Sequence, residues 1–360
     1  MKDLILGVET SCDDTCVCLM SWFDGHIEYN KSIHQDDTHR KFGGIVPNLA
    51  SECHLNAINI LKTELQKQDL MRIAGIACTT GPGLIGSLLV GVSFAKGLAM
   101  SLGVPFIRIN HLEGHALSCF IEHSIDEIQY PYLLLLVSGG NSQIILAKDL
   151  GCYTIIGETL DDAAGEALDK IAKYLNIGYP GGVNLEKLSL QSKDHKRFQF
   201  KDGCINKNTF NFSFSGLKTQ VLYKIQELGG IENIDINTKI DIAYSAQEAV
   251  FETLKKKIQQ VINTYKDQAL KQIKTIVICG GVSANKTLSS KIHKLAQDKN
   301  LNLVIPSLQW TTDNAGMIAK AGCMYWNAWK QNKRMLSYNT MDLSFSPLSK
   351  WRIDNICAFK

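Results

Sequence analysis

The stretch "YLLLLVSGGNSQIILAKDLGCYTIIGET" (Tyr132 to Thr159) decides the fold. An apolar run stops at small polar residues, a second apolar run follows, and a third begins after a short turn. Residues of this kind read as strand, glycine turn, strand, turn, strand. The N-terminal "LILGVETSCDDTCVCLM" (Leu4 to Met20) has the same layout. A pattern that starts twice predicts a duplicated α/β fold with two related halves. The expected division is 1–132 for the first half, 133–345 for the second and 346–360 for a tail.

Outward from these two starts, each half continues with helices and further strands. Asp24-Gly25 predicts a hairpin. Glu52 to Gln68 reads as a helix with Leu55, Ile58, Leu61 and Leu65 on one face. "RIAGIACTT" (Arg72 to Thr80) is a buried strand, a glycine-rich helix follows, and "VPFIRIN" (Val104 to Asn110) is another strand. In the second half a helix is expected from Asp161 to Asn176, capped by Asp161 or Asp162, with two more near Lys239 to Tyr265. "TIVICGGVSANKTL" (Thr275 to Leu288) is strand, glycine turn and helix start; "NLVIPSLQWTTDNAGMIAKAG" (Asn302 to Gly322) is strand, loop and helix. The chain after Lys330 has no period.

The 360 residues are 45% hydrophobic, enough for two cores, and the net charge of +3 excludes a strongly basic nucleic-acid arm. Eleven cysteines, scattered and without CxxC, read as reduced thiols. The N-terminus has no signal-peptide pattern, which points to the cytoplasm. "LIGSLLVGVSFAKGLAMSLGVPF" (Leu84 to Phe106) carries Lys96 and several glycines; it reads as a core helix, and no membrane span is expected.

Four segments carry chemistry. At Ser138, Gly139 and Gly140, after a strand, backbone N–H groups can approach a phosphate or acyl oxygen; the alternative is a plain hairpin. Gly280 and Gly281 form a second such turn, and Asn285 either reads a nucleotide or caps a helix. Asp169 can accept from ribose hydroxyls, although Glu166–Lys170 at i, i+4 fits a solvated charge face. Glu9, Asp13 and Asp14 follow a strand end, as metal-side or turn acids.

"HLEGHA" (His111 to Ala116) places two histidines on one helix face. A zinc protease of the HExxH kind needs Glu beside the first His, and here Leu112 stands there. Asp313, at a loop-to-helix junction, supplies a third ligand. A His/His/Asp set with open positions suits ferrous or zinc ion; the alternative is two histidines without a metal.

Together these segments resemble the bacterial tRNA threonylcarbamoyladenosine transferases, the TsaD family. The resemblance rests on "LGVETSCDDT", "GGIVPNLAS", "TTGPGLIGSLLVG", "HLEGHA", "LLLVSGGNSQ", "ETLDDAAGEALDKIAKYL", "YPGG", "FSFSGLKT", "CGGVSANKTL" and "TDNAGMIA", in family order. It implies an actin-like, sugar-kinase-like ATPase fold, two related halves around a nucleotide cleft. It implies transfer of threonylcarbamoyl from threonylcarbamoyl-adenylate to the N6 amine of the adenosine beside the anticodon, in tRNAs reading codons that begin with A. His111, His115 and Asp313 would hold one divalent metal, Fe2+ with Zn2+ as the alternative. Leu136, Val137, Ser138, Gly139 and Gly140 would line the adenylate pocket, with Asp169, Gly182 and Asn285 as further contacts and with ATP binding in the same place. No general base is assigned. Partners implied are tRNA and TsaB-like and TsaE-like helpers; a homodimer is compatible. The competing readings are an actin-like nucleotide-dependent scaffold and a metalloprotease. Two positions depart from the family: "SGGNSQ" stands for the usual "SGGHTQ", and Glu186 for a frequent aspartate. For tRNA, ten lysines against three acids between Phe251 and Asn300, and "KDHKRFQFK" (Lys193 to Lys201), are the basic candidates.

Overall fold

The computed structural model describes residues 2–42, 44–204, 209–265, 272–331 and 342–359. Its strands are β1 (Leu4–Glu9), β2 (Thr15–Ser21), β3 (Ile27–Ile33), β4 (Ile73–Gly81), β5 (Phe106–Asn110), β6 (Tyr132–Val137), β7 (Ser142–Asp149), β8 (Cys152–Glu158), β9 (Thr275–Cys279) and β10 (Asn302–Val304). The helices are α1 (Asp36–Arg40), α2 (Pro47–Leu65), α3 (Ile85–Leu102), α4 (His111–Leu117), α5 (Ala164–Tyr174), α6 (Gly181–Ser189), α7 (Ser215–Glu227), α8 (Ile236–Tyr265), α9 (Lys286–Asp298), α10 (Leu308–Thr311) and α11 (Ala315–Lys330).

Two five-stranded sheets repeat one topology. The first runs β3-β2-β1-β4-β5 and the second β10-β9-β6-β7-β8. β1 pairs antiparallel with β2 and parallel with β4, and β4 is parallel to β5. In the same way β6 pairs antiparallel with β7 and parallel with β9, and β9 is parallel to β10. The duplicated α/β reading of the sequence therefore matches the strand order of both halves.

The chain forms two compact units: 1–128 with 148–153 and 306–360, and 129–147 with 154–305. Residues 306–331 and 342–345, expected with the second half, join the first unit. The cause is α11, which packs against β1, β2 and β4. Gly7 and Gly322 let it approach: a Cβ on Gly322 would lie 2.5 Å from the Ala77 Cβ. The tail is also part of this unit, for Leu348 N–H donates to Thr80 O at 2.8 Å, and Trp351 and Ile353 are buried.

In the first unit, α2 buries His54, Ala57, Ile58, Leu61 and Leu65, whereas Leu55 is 54% exposed. The expected apolar face is thus rotated. His54 takes the inner position because both ring nitrogens have partners, Thr15 Oγ1 at 2.7 Å and Cys12 O at 3.0 Å. α3 is apolar and long enough to cross a membrane by length and composition. Here one face is buried, through Leu88, Gly91, Val92, Ala95 and Ala99, while Leu89 and Met100 face outward. The ten described cysteines are free thiols.

The second unit buries β6 and β9 beneath α5, α7, α8 and α9. α8 is one 30-residue helix where two shorter ones were expected. α5 begins at Ala164 without a side-chain cap. Asp161 works elsewhere: its carboxylate accepts from Phe214 N–H at 2.8 Å, Ser215 N–H at 3.2 Å, Ser215 Oγ at 2.6 Å and Ser213 Oγ. It caps α7, across more than fifty residues. Burial raises its pKa, but these hydrogen bonds outweigh burial and leave it lowered. A lowered carboxylate contributes stability above its unfolded pKa, near 4, and loses it as pH falls through the folded value. Asp161→Ala is expected to cost about 1 kcal/mol at pH 7, the modest figure reflecting solvent exposure. Urea titration should show that difference shrinking below roughly pH 4.

Candidate functional site

β5 delivers the histidines. It ends at Asn110, whose Oδ1 accepts from Leu112 N–H (2.9 Å) and Glu113 N–H (3.3 Å) and starts α4, while its amide donates to Trp351 O at 3.0 Å. One turn separates His111 from His115, and their ring centroids lie 4.8 Å apart. α4 lies against α11 closely enough that a Cβ on Gly114 would sit 2.7 Å from Ile318 Cδ1. Glu113 ties the same helices: Tyr325 Oη donates at 2.8 Å and Tyr153 Oη at 3.1 Å. That carboxylate is fully buried and faces tyrosines, so the acid of "HLEGHA" serves packing.

α11 brings the third residue. Asn314 caps it through Met317 N–H at 2.8 Å, and Asp313 stands just before the cap. Asp313 Oδ1 lies 3.0 Å from His115 Nε2 and 3.5 Å from His111 Nε2. Donor atoms of all three residues fall within 4.8 Å of one another. An ion bound through bonds of about 2.1 Å holds adjacent ligands roughly 3.0–3.4 Å apart; the His115–Asp313 spacing of 3.0 Å falls in that range, and the His111–Asp313 spacing of 3.5 Å lies just above it. The residues therefore fit a divalent cation with two nitrogen donors and one oxygen. Helix N-termini favour anions, and Asp313 and Glu9 supply the negative charge a cation needs there. Glu9 Oε2 is 3.2 Å from His111 Nδ1, and Ser11 Oγ is 3.1 Å from the same atom.

Without metal, a proton occupies this cluster. Burial alone would lower His111, but Asp313 and Glu9 hold it up at about 9. Burial alone would raise Asp313, yet the histidines depress it far below the usual carboxylate range. A metal must displace the His111 proton. Its apparent affinity is thus expected to fall about tenfold per pH unit below pH 9, which isothermal titration at several pH values measures.

The residues expected around an adenylate gather in the second unit, at the C-terminal ends of parallel β6 and β9. Ligands of open α/β sheets bind outside such ends. Leu136 and Val137 are fully buried within β6, paired on its flanks, and leave the turn that follows them as the accessible part of this segment. Asn141 N–H donates to Ser138 Oγ at 3.1 Å, and Gly165 N–H to Ser138 O at 3.2 Å. Gly139, Gly140 and Gly281 face open space: an added Cβ would touch nothing within 4 Å, and none has positive φ. Gly280 is different, with φ +90° and Val137 O where its Cβ would stand. Asp169 Oδ1 accepts from Gly182 N–H at 2.7 Å and shapes that turn. Asn285 caps α9 through Thr287 N–H (3.0 Å) and Leu288 N–H (3.3 Å), and its amide donates to Gln247 at 3.0 Å.

Comparison with known proteins now bears on both clusters. The family model "TsaD: tRNA N6-adenosine threonylcarbamoyltransferase" matches residues 26–320. The chain belongs to the TsaD family. The tRNA N6-adenosine threonylcarbamoyltransferase of Thermosipho africanus (strain TCF52B) is 44% identical, over 89% of this chain and 93% of that protein. The enzyme of the same name from Rickettsia rickettsii (strain Sheila Smith) is 43% identical over 98% of each. Among solved structures, full-length HypF in its phosphate- and nucleotide-bound form superposes with TM-score 0.56 over 91% of this chain and 47% of its own, at 14% identity. HypF from T. kodakarensis gives 0.57 at 14% identity, over 91% and 48%. This chain spans about half of either HypF, and the likeness shows the shared actin-like fold.

In this TsaD-family chain the departing position Glu186 has a local task. Its carboxylate accepts from Lys286 N–H at 2.8 Å, at the start of α9. Sequence reasoning missed the contact of Glu9 with His111; an acid at a strand end was its one signal. The basic stretch 193–201 divides in two. Arg197 pairs with Asp241 at 3.1 Å, and Phe198 and Phe200 pack on the core, while Lys193, Lys196 and Lys201 are exposed. Lys266 and Lys271 of the other basic stretch lie outside the described residues.

Proposed function

We propose that this chain transfers the threonylcarbamoyl group from threonylcarbamoyl-adenylate to the exocyclic N6 amine of the adenosine 3′ to the anticodon, in tRNAs reading codons that begin with A. The observation that carries this reading is the convergence of His111, His115 and Asp313 in a chain 44% identical to a tRNA N6-adenosine threonylcarbamoyltransferase. These three residues would hold one divalent ion, Fe2+ with Zn2+ as the alternative. When bound, it supplies Lewis acidity toward the oxygens of the acyl donor.

The remaining work falls to the chain itself. An adenine amine is a weak nucleophile, but a mixed anhydride is already activated, so orientation of the two is the main requirement. Three glycines with open space above them give backbone N–H groups access to the adenylate phosphate. Asp169 holds Gly182 at the start of α6, and Asn285 caps α9 after the glycine turn that follows β9. The exposed Lys193, Lys196 and Lys201 are suited to tRNA phosphates, which makes binding salt-sensitive. TsaB-like and TsaE-like proteins are the expected helpers, in the cytoplasm.

The test supplies synthetic threonylcarbamoyl-adenylate, unmodified tRNA and the cognate helpers. Mass spectrometry of the digested tRNA should find threonylcarbamoyladenosine. Nucleotide binding without modified tRNA would favour the scaffold reading instead.

A further inference from the structure

We infer that Glu9 is a positioning residue for the metal centre: its carboxylate holds the His111 proton on Nδ1 and so keeps Nε2 as the ligand atom. The inference rests on reading His111, His115 and Asp313 as a metal site.

Glu9 ends β1 and is fully buried. Its Oε1 accepts from Ser11 N–H at 2.5 Å, and its Oε2 from the Thr79 hydroxyl. The third contact of this carboxylate is His111 Nδ1, at 3.2 Å. Its one ion-pair partner among the described residues is that ring. Nδ1 faces this carboxylate, which only accepts, and also Ser11 Oγ at 3.1 Å, a hydroxyl that can accept as well; a proton on Nδ1 satisfies both contacts, whereas a bare Nδ1 would set a lone pair against the carboxylate. In a neutral imidazole the proton then sits on Nδ1, and the lone pair on Nε2. Nε2 is the atom that faces Asp313, at 3.5 Å.

A burial argument points the same way. Isolated buried carboxylates are costly. A staple between β1 and Thr79 of β4 needs no charge; a neutral amide would serve. A cation beyond the ring gives the charge a purpose, since outer carboxylates orient metal-bound histidines and raise their basicity.

Zinc titration against a chromophoric chelator tests this, with zinc as the probe. Glu9→Gln should lower zinc affinity about 10–100-fold, because an amide can offer Nδ1 either an acceptor or a donor. Thr79→Val leaves Glu9 in place but removes one anchor, and should lose affinity in the same direction; it carries the test should Glu9→Gln not fold. Melting curves of the metal-free variants separate lost affinity from lost fold. In the zinc-loaded protein, nitrogen-15 NMR of His111 should show zinc on Nε2 and a protected proton on Nδ1. Wild-type affinity in both variants, or zinc on Nδ1, overturns the inference. His111→Ala distinguishes the two levels. If it binds zinc like the wild type, the metal site is misassigned and the Glu9 role falls with it. If it binds weakly while the Glu9 and Thr79 variants bind normally, the Glu9 role alone falls.

Discussion

Asp313→Ala should empty the proposed metal site. One oxygen atom of this residue faces both histidines, at 3.0 and 3.5 Å. Removing it deletes a third of the donor set and all of its directly contributed negative charge. The two nitrogens left behind are shared with a competing proton. The expected loss of metal affinity is at least about 100-fold, exceeding the 10–100-fold typical of an outer-shell partner. Metal content of the purified protein reads it. Asp313→Asn serves as the companion, keeping shape while removing charge. Threonylcarbamoyladenosine formation should fall with occupancy, and a variant with wild-type metal content would remove Asp313 from the ligand set. The fold should survive, because α11 is capped by Asn314 and not by Asp313.

Gly7→Ala should be among the damaging single methyls of the first unit, and the one that bears most directly on the approach of α11 to β1. An added Cβ would meet Ala315 O, with Ala319 N at 2.6 Å and Ala319 Cβ at 2.9 Å. Two of these are backbone atoms, which have no rotamer with which to yield. Either β1 bends or α11 lifts. Overpacking of this kind costs roughly 2–4 kcal/mol, seen as a lower midpoint in chemical denaturation. Since β1 ends at Glu9 and α11 begins beside Asp313, a lifted helix should also weaken metal binding. A fully stable Gly7→Ala protein with unchanged metal affinity would contradict this packing.

Much of this is legible in the sequence, and the reason is locality. His111 and His115 follow from one helical turn, and a DN pair before a helix flags Asp313. The two sheets follow from apolar runs broken by small residues. What sequence hid was contact over distance. Asp161 reads as the cap of its own helix, but its partners lie at 213–215, where no local pattern points. Leu55 was placed inward by hydropathy, whereas His54 takes that position because Thr15 and Cys12 satisfy its ring. Asp313 was assigned to the half in which it stands in the chain; a helix that returns to the first sheet leaves no periodic trace. The chemistry attached to the family came from resemblance, beyond what composition or spacing could supply.

The turn after β1 and the turn after β6 occupy equivalent places in the two halves. One reads Glu9, Thr10, Ser11, Cys12, Asp13 and Asp14; the other reads Ser138, Gly139, Gly140 and Asn141. The first sets carboxylates beside the His111 ring, and the second leaves Gly139 and Gly140 with open space where side chains would stand. One strand order thus presents two chemically opposite turns at equivalent places, one crowded with acids and one stripped to backbone.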